Sequence, residues 1–264
     1  MNNKKPEQKQ KNNKSKKTND KYLNALDENE ENEIEDDYNP RLDPKQIISF
    51  DYYLDTVFDL KYIDIVFLID STASMNCYSK DINKVIIKIL FDLEKIVSKY
   101  FLEDIDIIKT GVITYKDHED EEKTFLINID KDLTSDLNEI KNIIKNISYT
   151  GGKDEAEAVL DGLNAVLSSI SWREKSTKFL VHILDAPAHG KKFNNIEGDK
   201  IENCPKNLKA EDILVNIRKK GIEYFVIKIN DSIDIMLKEF RKYIDIEILT
   251  PEINTDKNKI LKQD

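Results

Sequence analysis

The sequence predicts an α/β domain: an open, doubly wound, mostly parallel six-stranded sheet with helices on both faces and one antiparallel edge strand. Two observations carry that expectation. Six short β-branched runs alternate with stretches of helical periodicity, as strands joined by crossover helices do. One connection, Lys116 to Lys123, is too short to hold a crossover helix, so the strands it joins run antiparallel.

Taken in order, residues 1–21 carry eight lysines against Glu7 and Asp20, and residues 22–40 carry eight acidic residues and no basic one. Blocky charge with little apolar surface cannot offset the entropy of ordering, so residues 1–45 are expected to be a disordered charged tail, with 46–61 a linker. A single domain then spans 62–250, and 251–264 form a C-terminal tail. Strands are expected at Ile63 to Ile69, Ile107 to Tyr115, Thr124 to Ile129, Lys178 to Leu184, Ile222 to Ile229 and Ile246 to Leu249. The helix after the first strand shows one buried face in Ile82, Val85, Ile86, Ile89, Leu93, Ile96, Val97 and Tyr100. Further helices are expected at Leu137 to Ile147, Ala156 to Ile170, Ala210 to Lys220, closed by Gly221 as a C-cap, and Ile233 to Tyr243.

Composition excludes several classes. With 41 basic and 51 acidic residues the net charge is −10, which offers no clustered basic face for a nucleic-acid backbone. The longest nearly uncharged apolar stretch, Ile65 to Ile69, is far too short for a membrane span, and the N-terminus lacks an apolar signal core. Two cysteines, Cys77 and Cys204, build neither a disulfide scaffold nor a thiol zinc knuckle, and whether they pair is left open. A cytoplasmic protein is expected.

Ligands of open α/β sheets bind at the carboxyl ends of the strands, where strand order reverses. Asp70-Ser71-Thr72-Ala73-Ser74 follows the first strand, and Asp185-Ala186-Pro187 the fourth. A carboxylate with hydroxyls two and four residues on presents hard oxygens to one point, a set that selects Mg²⁺, Mn²⁺ or Ca²⁺ over zinc or copper. The loop Thr150-Gly151-Gly152-Lys153-Asp154 is expected at the same rim, since paired glycines allow close backbone approach.

The Asp-x-Thr-x-Ser turn, the Gly-Gly-x-Asp loop and the Asp185 strand end together resemble the metal-ion-dependent adhesion site of von Willebrand factor A domains. Over residues 62–250 the chain is most similar to the subgroup found beside alpha-type protein kinases and in hemicentin-like proteins. That similarity rests on Tyr115-Lys116-Asp117-His118, Gly151 to Glu157, Trp172, His182 to Gly190 and Lys228 to Asp231. The resemblance implies a Rossmann-like fold and metal ligands Asp70, Thr72, Ser74, Asp154 and Asp185, with Asp154 standing where many A domains have threonine. It also implies Mg²⁺, with Mn²⁺ or Ca²⁺ as substitutes, and a protein partner that offers an acidic side chain. Asp117, His118, Lys153 and His189 are candidates for the surrounding rim. Movement of the last helix, through Ile233, Met236, Leu237 and Phe240, is implied to follow ligation.

Competing readings are weaker on chemistry. Asp70 with Thr72 alone would suit a helix N-cap. His182 is expected to be a hydrogen-bonded core residue, His118 to be exposed on the hairpin, and Glu119 to Glu122 to form a solvated tip. A haloacid-dehalogenase-like phosphohydrolase would need a second aspartate where Thr72 stands, leaving no general acid/base. Neither phosphate-loop pattern follows a strand. A non-enzymatic, cation-dependent interaction module is therefore expected. The alternatives are a metal-independent scaffold, or an accessory chain acting with a separate alpha-kinase, for which residues 251–264 are too few to be the kinase itself.

Overall fold

A computed structural model describes residues 62–249 apart from 101–106, 122 and 200. The expected tail, linker and C-terminal segment lie outside the described residues, as do the side chains of Ile96, Val97 and Tyr100. Six strands, β1 (Ile63–Asp70), β2 (Ile108–Tyr115), β3 (Ile127–Thr134), β4 (Thr177–Leu184), β5 (Ile222–Lys228) and β6 (Ile246–Leu249), form one sheet in the order β3-β2-β1-β4-β5-β6. Only β2 and β3 pair antiparallel, and β3 is an edge. The sequence placed that edge strand at 124–129. It starts three residues later because residues 118–120 form a 3-10 turn whose Asp120 carbonyl accepts the amides of Lys123 and Thr124.

Helices α1 (Ser79–Tyr100), α2 (Leu137–Lys145), α3 (Val159–Ser168), α4 (Ala210–Lys219) and α5 (Asp234–Phe240) cover both faces. The period of two in the buried strand β1 divides the core cleanly. Ile65, Phe67 and Ile69 pack with Ile82, Ile86, Leu90 and Leu93 of α1 and with Ile140 and Ile144 of α2. Val66 and Leu68 point the other way, into the cluster of Val159, Leu163 and Val166 of α3, Leu214 of α4, and Met236 and Phe240 of α5. A strand buried on both faces carries a near-continuous apolar run, which is why Ile65 to Ile69 of β1 show no alternation. The Asp136 side chain caps α2 by accepting from the Glu139 amide, and Gly221 follows α4 with φ +66°.

His182, in β4, is fully buried, with Nε2 2.9 Å from the Tyr115 hydroxyl and Nδ1 2.7 Å from the Tyr224 hydroxyl. Burial lowers its pKa to about 3. Since the unfolded imidazole takes a proton below about pH 6.5 and the folded one does not, its contribution to stability is complete above that pH and is lost progressively towards pH 3. NMR titration is expected to show no His182 protonation between about pH 5 and 8; a midpoint near the ordinary value would contradict this packing.

Candidate functional site

Strand order reverses between β1 and β4, so the carboxyl ends of these two strands frame a crevice. Asp70 closes β1 and Asp185 follows β4; both are buried. Asp70 Oδ1 accepts the Thr72 amide at 2.9 Å and the Thr72 hydroxyl at 2.7 Å. Thr72 Oγ1 lies 3.2 Å from Ser74 Oγ, which donates to Asp185 Oδ1 at 3.0 Å. Four of the five expected ligand side chains thus form one continuous chain of hard oxygens, and Asp154 is not among them. Thr72 precedes a 3-10 turn (Ala73–Tyr78) but makes no side-chain cap bond there, so a plain N-cap does not account for it.

The electrostatics of this cluster are unfavourable without a cation. Burial and the nearby Asp185 push the Asp70 carboxyl up to about 7, against hydrogen bonds from Thr72 and the charge of Lys116. Burial likewise raises Asp185, opposed by Ser74. Asp70 Oδ2 is buried with no hydrogen-bond partner. A buried, unpartnered carboxylate oxygen beside a second carboxylate and two hydroxyls fits a hard divalent ion.

Three rim residues have roles that the sequence reading did not assign. Lys116, almost wholly buried, donates from Nζ to the Ser71 carbonyl at 2.6 Å and to the Thr150 carbonyl, tying the β1 turn to the glycine loop. Asp120, expected in a solvated tip, is buried, and its Oδ2 accepts the Gly152 amide at 2.7 Å. Glu157, expected inside a helix, is instead held extended by a bridge to Ala188, and α3 begins only at Val159. Its buried carboxyl is pushed up to about 11 by burial and by Asp70 and Asp117. A Cβ on Gly152, whose φ is +71°, would lie 2.7 Å from Glu157 Oε1 and 3.0 Å from Thr72 Cβ. Gly152→Ala is expected to cost about 1–3 kcal/mol and to weaken any ion held beside Thr72, measurable by urea unfolding alongside metal titration.

Asp154 is placed with Asp117 and His189, one ligand atom of each within 4.8 Å of the others, and its Oδ1 accepts the Ala156 amide. His189 is buried, with Nε2 2.8 Å from Asp117 Oδ1 and Nδ1 2.9 Å from Asp199 Oδ1. Although burial opposes it, hydrogen bonds to these two carboxylates raise the His189 pKa, favouring an imidazolium between them. Asp199 also accepts the Gly190 amide and the Asn194 side chain, so this ion pair folds the loop after β4 onto the rim. Lys153 faces outward to Glu119 at 2.8 Å, with both side chains about half exposed. His118, expected to be exposed, is tucked against Asp161 with its side chain 9% exposed. Cys77 is exposed, Cys204 is buried, and both are thiols. Among the described residues no helix is long and apolar enough to cross a membrane.

The chain is similar to the alpha-protein kinase vwkA of Dictyostelium discoideum, at 29% identity over 202 residues. The match takes in 75% of this chain and 29% of that protein, so the chain spans less than a third of the relative's length. Among solved structures it is similar to the SpRpn10 VWA domain, with 12% identity, TM-score 0.48, and coverage of 73% of this chain and 90% of that one. It is also similar to the BatB protein from Bacteroides thetaiotaomicron, with 15% identity, TM-score 0.47, and coverage of 75% and 95%. The sequence profile of the von Willebrand factor type A domain matches residues 64–242, from the first strand to just past the last helix. With that match covering β1 to β5 and the switch point that bears the hard-oxygen cluster, the chain belongs to the von Willebrand factor type A domain family.

Proposed function

We propose that the chain is a non-enzymatic protein-interaction module that binds its partner through a divalent cation, Mg²⁺ by preference, held by Asp70, Thr72, Ser74 and Asp185. The observation that carries this is the unbroken run Asp70–Thr72–Ser74–Asp185 with Asp70 Oδ2 buried and unpartnered. A bound ion supplies a hard positive charge that attracts an acidic side chain of the partner. The protein's own residues do the rest. The Thr72 hydroxyl is aligned by the Asp70 carboxylate and that of Ser74 by Asp185, Lys116 fixes the loops around them, and Glu157 closes the Gly152 side. Asp154 is left out of this ligand set; its position beside Asp117 and His189 suits a rim role. The two thiols favour a reducing, cytoplasmic setting.

The rim is also joined to the last helix. Ser232 Oγ, in the 3-10 turn before α5, donates to the Asp185 carbonyl, and the Ala188 amide donates to Met236 Sδ at 3.1 Å. Ligation at Asp185 therefore has a direct route to α5, whose Met236, Leu237 and Phe240 are buried. Panning a peptide library rich in Asp and Glu against the chain tests the reading: enrichment with Mg²⁺ that vanishes in chelator and in Asp70→Ala is expected. Equal enrichment in chelator counts against it. Hydrogen exchange across residues 234–240 is expected to change on Mg²⁺ addition, and unchanged exchange would remove the link to α5.

A further inference from the structure

Behind the rim, three side chains from separate elements converge on one point. His118 comes from the turn after β2, Asp161 from the first turn of α3, and Cys204 from the loop before α4. One ligand atom of each lies within 4.8 Å of the other two. His118 Nε2 is 3.3 Å from Asp161 Oδ2, and Cys204 Sγ is 3.4 Å from that same oxygen. Zinc binds imidazole nitrogen and carboxylate oxygen at about 2.0–2.2 Å and thiolate sulfur at about 2.3 Å, so the edges of its tetrahedron are about 3.3 Å for N to O and about 3.5 Å for O to S. The N-to-O and O-to-S distances of the cluster are close to these edges.

The surroundings point the same way. Asp161 stands in an apolar turn with buried Val159, Leu160 and Leu163, where a carboxylate is costly without a counter-charge. Lys206 Nζ, 3.8 Å from Asp161 Oδ1, is itself paired with Glu121 at 3.0 Å and about half exposed, so it marks the solvent side. Burial lowers the His118 pKa, favouring the neutral imidazole that ligates metal. Nitrogen, oxygen and sulfur together form a borderline-soft set that selects a different ion from the all-oxygen rim.

We propose that His118, Asp161 and Cys204 form a second metal site, for Zn²⁺, with three protein ligands and the fourth position taken by water or a partner group. Binding displaces the Cys204 thiol proton to solvent, while the carboxylate and the neutral imidazole ligate without gaining or losing one. The ion would staple the turn after β2, α3 and the 191–209 loop together. The His118 ring lies 5.6 Å from that of His189, so the staple would sit directly behind the ion pair that shapes the rim.

Cobalt substitution tests this without relying on the rim. The full chain, in saturating Mg²⁺, is titrated with Co²⁺ and then with Zn²⁺. One equivalent of Co²⁺ is expected to produce a thiolate-to-cobalt charge-transfer band in the near ultraviolet, which Zn²⁺ abolishes. The band is expected to disappear in Cys204→Ala and to persist in Cys77→Ala, and Zn²⁺ affinity is expected to fall at least about a hundredfold in His118→Ala, beyond the cost of outer-shell changes. Asp70→Ala, which removes the rim site, keeps the band, so the two sites fail separately. Absence of the band in the wild-type chain, or its loss in Cys77→Ala alone, would overturn the assignment.

Discussion

Calorimetric titration with Mg²⁺ is expected to give one saturable event at the rim of the wild-type chain, and Asp185→Ala is expected to weaken it at least about a hundredfold, more than the removal of an outer-shell group costs. The reason lies in how the two carboxylates meet. Asp70 and Asp185 end neighbouring parallel strands at the switch point, both buried, and the charge of Asp185 helps burial to push Asp70 up to about 7. A cation relieves that repulsion; deletion of Asp185 relieves it too, but removes a ligand. The metal-free variant is therefore expected to be at least as stable as the metal-free wild type. Mg²⁺ at a hundred times its wild-type dissociation constant should stabilise the wild type by about 2.7 kcal/mol and the variant by no more than about 0.4 kcal/mol. Thermal melts in chelator and in Mg²⁺ measure both effects. Equal stabilisation of the two proteins would contradict the assignment of Asp185.

Arg173→Ala is expected to cost about 3–5 kcal/mol of stability while leaving Mg²⁺ binding intact. Asp64 lies at the opposite end of β1 from Asp70 and is fully buried. Its Oδ1 accepts Arg173 Nε at 2.7 Å and pairs with Nη2 at 2.6 Å, while Oδ2 accepts the Arg173 amide at 2.8 Å and the Ser176 hydroxyl at 2.6 Å. The same Nη2 donates to the carbonyls of Ile63 and Ile107, joining the starts of β1 and β2. Alanine keeps the backbone amide but strands a buried carboxylate without its cation, which is the costly way to break such a pair. Urea unfolding measures the loss; a change below about 1 kcal/mol, the value of an exposed pair, would show that Asp64 is solvated.

Much of the fold was legible because it rests on local pattern. The apolar run Ile65 to Ile69 of β1, the spacing of Ile82, Ile86 and Leu93, and the short connection after Tyr115 each follow from period and length alone. The rim was legible where ligands follow strand ends directly, as Asp70 and Asp185 do. It was not legible where a long-range backbone contact overrides local propensity. Ala156 to Ile170 reads as one helix, but the Glu157 amide bonds the Pro187 carbonyl across the crevice, delaying the helix and turning the Glu157 carboxyl into the site. Asp120 sits in a charged run that looks solvated, and only the return of the Gly151-Gly152 loop buries it. Lys116 follows the same logic: its ammonium finds partners on two loops far away in sequence, which no window around position 116 contains.

Two neighbouring groups could hold a divalent ion, the proposed Asp70–Thr72–Ser74–Asp185 run and the Asp117–Asp154–His189 group. Anomalous diffraction from crystals of the chain grown with Mn²⁺ separates the two directly. A manganese peak is expected within bonding distance of Thr72 Oγ1 and Ser74 Oγ, on the side of the partnerless Asp70 Oδ2. A peak at Asp117, Asp154 and His189 instead, or no peak at either place, would contradict the proposal.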